Sequence, residues 1–190
     1  MNPIISMLAY TLSENRVAIA IELKPQWHIY WENPGDTGME TSLAAGQLIF
    51  PTPTLFLLSG GLRSYGYEGA FVLFAEGIQA ESLTIRWLAC KEDICIPGHK
   101  TLSRQKERKD WREWETYLPQ PFLGRVEHQG DHSVVHLQKG ILFPSLETEP
   151  YIHSVDYQND SIVISWKTKP EHGRMVLGLH GSKKGYEIIW

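Results

Sequence analysis

The chain is poor in cysteine, with two in 190 residues, Cys90 and Cys95. A chain of this length can bury a core that stands without staples, so a disulfide framework is excluded as the source of its stability. No apolar stretch approaches the roughly 20 residues that a bilayer-spanning helix needs. Nor does a positively charged segment lead into a long apolar one, and the expectation is that a secretion signal is absent from the chain or already removed. A basic block is missing too: 18 Lys and Arg stand against 22 Asp and Glu, giving a formal charge of −4 and a pI near 6.1. A phosphate backbone would find nothing to track, so nucleic acid is not an expected partner. The densest charged run, Arg104-Gln105-Lys106-Glu107-Arg108-Lys109-Asp110, mixes signs and reads as a solvated surface. There is no Gly-x-Ser-x-Gly, which removes nucleophile-elbow hydrolysis, and no internal repeat or low-complexity tract.

What the chain does hold is aromatic residues and period-two patterns. Seven Trp and eight Tyr offer large buried areas that keep a polar handle. Arg16–Leu23, Phe71–Phe74, Leu83–Leu88, Ser133–Leu137 and Ser161–Trp166 alternate and are rich in β-branched and aromatic residues, the signature of strands. Between them stand Asn33-Pro34-Gly35-Asp36, Pro51-Thr52-Pro53 and Ser59-Gly60-Gly61, which read as turns. Many short strands with such punctuation predict an all-β antiparallel sandwich. One helix is expected, near Lys109 to Tyr117, where Trp111, Trp114 and Leu118 recur at helical spacing. Pro119-Gln120-Pro121 then breaks the pattern and is the expected boundary. Residues 1–118 are predicted to form one sandwich and 119–190 a second, smaller β module.

The cysteine pair, in Ala89-Cys90-Lys91-Glu92-Asp93-Ile94-Cys95-Ile96-Pro97, admits several readings. In a continuous strand the two Cα atoms would lie roughly 16 Å apart, whereas a disulfide needs them within about 7 Å. A hairpin with Lys91-Glu92-Asp93-Ile94 as a four-residue loop sets Cys90 opposite Cys95 and makes them bondable. As a staple the bond would be weak, contributing about 2 kcal/mol by loop entropy. Spacing alone leaves a redox switch, a structural bridge and a pair of free thiols open. Zinc is disfavoured, since only His99 lies close to the pair in sequence and no fourth ligand is indicated.

Three motifs go beyond spacing. Trp27-His28-Ile29-Tyr30-Trp31-Glu32-Asn33-Pro34-Gly35-Asp36-Thr37-Gly38, Tyr65-Gly66-Tyr67-Glu68-Gly69 and the cysteine segment, in this order, resemble the N-terminal periplasmic region of DsbD-type thiol:disulfide interchange proteins, and within them the ScsB-like branch. The resemblance implies an immunoglobulin-like β-sandwich with the cysteine pair on a hairpin, over most of residues 1–118, followed by that branch's second β module. It implies a periplasmic protein-disulfide reductase module that needs no cofactor and no metal. Electrons would come from a thioredoxin-like protein or domain, or from a membrane-embedded redox domain of the same full-length protein, and pass to oxidised periplasmic proteins. Cys95 would form the mixed disulfide and Cys90 would resolve it. His28 and Tyr30, two apart on one strand face, would line the pair. Tyr65 and Tyr67 stand where the family carries a cap loop. Better-known members have an acidic pair and a phenylalanine before the Tyr-Gly, whereas this sequence has Leu62-Arg63-Ser64, so either tyrosine shields the pair or the site is open. The competing reading is a non-catalytic β-sandwich interaction module whose disulfide only pins a hairpin.

Overall fold

The computed structural model describes residues 5–92, 94–106, 110–137 and 139–190. Asp93, placed by the spacing in the hairpin loop, lies outside them, as do Glu107, Arg108 and Lys109 of the charged run and the start of the predicted helix. By internal contacts the chain divides into two compact units, Met1–Leu118 and Pro119–Trp190.

The first unit begins with β1 (Ile5–Thr11), β2 (Arg16–Leu23), β3 (His28–Gly35), β4 (Ser42–Leu43) and β5 (Gln47–Ile49). It continues with β6 (Thr54–Leu57), β7 (Arg63–Glu68), β8 (Ala70–Glu76), β9 (Ser82–Lys91) and β10 (Ile94–Gln105). One layer runs β5-β8-β2-β1 and the other β9-β3-β7-β6, with β4 also on β9. The long strand β10 joins them. Its residues Ile94 to Ser103 pair antiparallel with β9, while Arg104 and Gln105 pair parallel with Ala9 and Tyr10 of β1. A single curled sheet thereby folds over itself as a sandwich.

Alternation decides which side chains enter it. Val17, Ile19 and Ile21, alternate positions of β2, are buried, as are Ile29 and Trp31 of β3 and Ile85, Trp87 and Ala89 of β9. The other face of β2 presents Ala18, which clusters with Tyr10, Val72, Phe74 and Trp111. This outer cluster explains the short helix. The spacing predicts a helix near 109–117, but only one turn forms, α1 (Arg112–Glu115). Four residues do not sustain a helix alone; the turn holds because Trp111 and Trp114 cover the outer sheet face.

The structure also corrects the reading of Arg104 as part of a solvated run. Its guanidinium donates to the carbonyls of Ser13 (2.9 Å), Glu14 (3.0 Å), Ile78 (3.1 Å) and Ala80 (3.4 Å), tying the β1–β2 turn to the β8–β9 turn. Asn33-Pro34-Gly35 is likewise no free turn. It closes β3 as a bulge, where pairing with β7 jumps from Tyr30↔Gly66 to Gly35↔Ser64 and Gly35 takes φ 83°.

The second unit holds β11 (Gln120–Pro121), β12 (Val126–Gln129), β13 (His132–Val135) and β14 (Gly140–Pro144). After them come β15 (Ile152–Tyr157), β16 (Ile162–Trp166), β17 (Arg174–Leu179) and β18 (Gly185–Ile189). They form two four-stranded sheets, β11-β18-β17-β14 and β12-β13-β16-β15. Ile162, Ile164 and Trp166 from one sheet and Met175, Leu177 and Ile188 from the other share one core.

Candidate functional site

Cys90 near the end of β9 and Cys95 near the start of β10 face each other across the ladder and form a disulfide, with Cα atoms 4.1 Å apart. So short a separation marks a pair whose own peptide groups do not bond to each other, the arrangement that brings side chains closest. The ladder runs one pair beyond the cysteines, to Lys91↔Ile94, so the loop is tighter than the four residues that spacing suggests. Glu92 takes φ 50°, the left-handed conformation that tight hairpin connections require.

The two sulfurs are not equivalent. Cys90 is 2% exposed, whereas Cys95 is exposed and flanked by exposed Ile94 and Ile96. The difference follows from position: β9 lies between β10 and β3, while among the described residues β10 has no strand on its far side from Ile94 to Ser103.

On its other side Cys90 pairs with His28 of β3, and His28 pairs in turn with Glu68 of β7. Residues directly opposed across a ladder share a face, so Glu68, His28, Cys90 and Cys95 form one row on the outer face of their layer. The row places His28 beside the cysteine pair, as the resemblance implies, and adds Glu68, which the sequence did not single out. His28 is 8% exposed, and its Nε2 has no hydrogen-bond partner among the described residues. Its ring stacks on Phe56 at 4.8 Å and meets Tyr30 edge-on at 5.2 Å. Burial pushes the imidazole below its ordinary pKa, against the Glu68 carboxylate, which raises it. Tyr30 is buried as well, which pushes its phenol upward. Gly38 makes room for the Tyr30 ring, because a Cβ there would lie 2.3 Å from it.

Tyr65 and Tyr67 do not join this row. Tyr67 pairs with Ile29, whose other neighbour is Ala89, and these belong to the opposite, inward face. The Tyr67 hydroxyl donates to the Pro51 carbonyl at 2.8 Å, and its ring stacks on Phe71 at 4.8 Å. Tyr65, two residues earlier in the same strand, alternates to the same inward face and is equally buried. Neither tyrosine is placed to cover the disulfide. Their neighbour Gly66 faces outward, where a Cβ would meet the Ile29 carbonyl oxygen at 2.0 Å, so only glycine lets β7 lie this close to β3. The aromatic that the sequence did not single out is Phe56, the ring stacked on His28. Its signal was faint: one aromatic in Thr54-Leu55-Phe56-Leu57, between Pro53 and the Ser59-Gly60-Gly61 turn.

Groups of three or more His, Cys, Asp or Glu fit to hold a metal ion do not occur among the described residues. No helix among them is long and apolar enough to cross a membrane. What the row can do chemically is open and close one disulfide at an accessible sulfur.

The family of N-terminal domains of the thiol:disulfide interchange protein DsbD matches residues 4–107, more than half of the chain. This chain belongs to the DsbD N-terminal family. The matched span holds every strand of the first unit but the last residues of that unit. The fold is similar to that of the N-terminal periplasmic domain of ScsB from Proteus mirabilis, at a TM-score of 0.66 and 13% identity. That likeness covers 100% of this chain and 93% of the ScsB chain, so it includes the second unit, and at this identity it speaks for fold. The N-terminal Ig1-2 module of the Drosophila receptor protein tyrosine phosphatase DLAR matches at a TM-score of only 0.24 and 10% identity, over 96% of this chain and 93% of that one. No curated protein matches. The first unit is thus an all-β, immunoglobulin-like DsbD-type domain with its cysteine pair on a hairpin, of a family of thiol:disulfide interchange proteins.

Proposed function

We propose that this chain is a periplasmic electron relay, a protein-disulfide reductase module that takes two electrons from one protein partner and gives them to another through Cys90 and Cys95. The observation that carries the reading is the unequal exposure of the two sulfurs, 2% for Cys90 against an open Cys95. Exchange is in-line: the attacking thiolate, the attacked sulfur and the leaving sulfur align. An attack on Cys95 that expels Cys90 therefore arrives from the side of β10 that carries no strand among the described residues, where Cys95 is exposed.

A partner thiolate bonds to Sγ of Cys95, the Cys90–Cys95 bond breaks, and its electron pair leaves on Cys90, which takes up a proton. The partner's second cysteine then attacks the partner's own first sulfur and releases Cys95 as a thiolate, which is protonated in turn. The partner has lost two electrons and two protons, and this pair has gained them. Run in reverse against an oxidised protein, the same steps pass the electrons on. A thioredoxin-like protein or domain is the proposed donor, directly or as part of a membrane-embedded redox protein, and oxidised periplasmic proteins are the proposed acceptors. The described periplasmic location of the similar ScsB domain supports the compartment. His28 and Tyr30 line the site, and Phe56 replaces the two tyrosines as the aromatic beside it.

Trapping tests the reading. Cys90→Ala leaves Cys95 without its resolving partner and should accumulate a mixed disulfide with a thioredoxin-like protein, while Cys95→Ala should trap far less. If neither variant traps a partner, or if the wild-type pair has a potential well below about −300 mV, the disulfide is a structural bridge and the relay reading fails.

A further inference from the structure

His28 is buried and stands across the ladder from Cys90, and its Nε2 has no partner among the described residues. Buried polar atoms are almost always bonded, and an orphan disfavours the state that contains it. The neighbours that the structure sets against the imidazole leave Nε2 unanswered among the described residues. Phe56 from β6 offers only an aromatic face, Tyr30 on β3 meets the ring edge-on, Glu68 from β7 acts as a charge and donates or accepts no bond to this nitrogen, and the Cys90 sulfur is locked in the disulfide. Only one of these groups changes when the protein is reduced. A disulfide sulfur is a feeble acceptor and carries no proton, whereas a thiol donates through S–H and a thiolate accepts strongly. Opening the bond puts such a sulfur on Cys90, directly opposite an imidazole that can serve either need.

We propose that His28 is the hydrogen-bonding partner of Cys90 in the reduced protein, left unpaired while the disulfide is closed, and that it thereby sets how readily the pair accepts electrons. The inference rests on the relay reading for its purpose and on the row of opposed residues for its geometry. Burial keeps the imidazole neutral near pH 7, with one nitrogen to donate and one to accept, so it pairs with the Cys90 sulfur without adding a charge to the interior. Because the bond exists only after reduction, it favours the reduced form. Removing it makes the pair harder to reduce.

The test is the redox equilibrium of the 190-residue chain with glutathione. His28→Phe keeps the ring against Phe56 and removes the nitrogen; its reduced-to-oxidised ratio should fall about tenfold at a fixed glutathione poise, which is about 30 mV for a two-electron couple. His28→Gln retains a donor and an acceptor and should recover most of that loss, which a purely packing role would not produce. A second readout needs no variant: in chemically reduced wild-type protein, the His28 Nε2 resonance should move on reduction far more than those of the other histidines. A His28→Phe ratio within twofold of wild type, or an unmoved Nε2 resonance, overturns the inference. Because the resonance is read on chemically reduced protein, it decides the matter even if the wild-type chain exchanges with no protein partner, the outcome that would sink the relay reading instead.

Discussion

Tyr67→Phe separates a core tyrosine from a cap, and the structure sets its size. The substitution keeps the ring that stacks on Phe71 at 4.8 Å and deletes only the hydroxyl that donates to the Pro51 carbonyl at 2.8 Å. That carbonyl is buried with Pro51, and leaving a buried acceptor unanswered costs about 1–3 kcal/mol. Each kcal/mol displaces the midpoint of a unit this size by about 3–6 °C, so the first unit should melt roughly 3–18 °C lower. The Tyr67 side chain points away from the disulfide, so the reactivity of Cys95 should not change. Melting followed by circular dichroism gives the first quantity, and pseudo-first-order reduction by dithiothreitol well below the midpoint gives the second. An unchanged midpoint would refute the bond to Pro51. A reduction rate raised tenfold would refute the inward placement, because only a residue shielding the sulfurs could slow their attack so much.

Three further outcomes follow from the same geometry. Gly66→Ala forces a Cβ to within 2.0 Å of the Ile29 oxygen, a backbone atom that cannot swing aside, and should cost about 3 kcal/mol or more in a urea titration; a wild-type midpoint would mean that β7 and β3 are not this close. Arg104→Ala removes a guanidinium shared by four carbonyls in two turns and should lower stability by about 1.5–3 kcal/mol, whereas a change under about 0.5 kcal/mol would return Arg104 to the solvated surface. Stability should also respond to pH through His28, whose pKa burial holds below its ordinary value. The unfolded chain then takes up the proton first, near pH 6.5, so stability present above that pH is lost as the pH falls through it toward the folded value. Wild-type protein should lose more stability between pH 7.5 and 5.5 than His28→Phe does, and equal losses would contradict the assignment.

The fold was legible where one strand carries its own signal. Arg16–Leu23 alternates and forms β2 with those bounds, because Val17, Ile19 and Ile21 fill one core and Ala18 another. His28 and Tyr30 could be put on one face for the same reason, and the cysteines could be opposed because a short link leaves few registers. Register between strands that are distant in sequence stayed hidden from periodicity and spacing. Nothing in residues 63–68 says which face of β7 looks inward, so the tyrosines could be read as a cap until pairing with Ile29 turned them into the core. Likewise His28 and Cys90 become neighbours only because β3 lies beside β9, a fact of topology that neither segment contains. Arg104 misled for a different reason: a charged side chain in a charged run looks solvated until the turns it bonds are seen to converge on it.

The placement of the cysteine pair would also let the domain stay folded in both redox states of the proposed relay. A disulfide that closes so short a loop constrains the unfolded chain by only about 2 kcal/mol, the low end of the usual range. More important is where it sits. Cys90 and Cys95 lie on the outer face of the β9–β10 hairpin, while Ala89 and Trp87, on the alternate positions, are buried inward at 0% and 1% exposure. Breaking the bond frees two sulfurs on one face and leaves the packing of the other untouched, and the ladder from Ile96↔Ala89 to Ser103↔Ser82 still holds the hairpin in register. A pair placed inward would have tied electron transfer to the integrity of the core. Set on the outer face, where β10 has no strand on its far side among the described residues, it is placed so that opening it at Cys95, as the proposed relay requires, would leave the sandwich beneath it as it was.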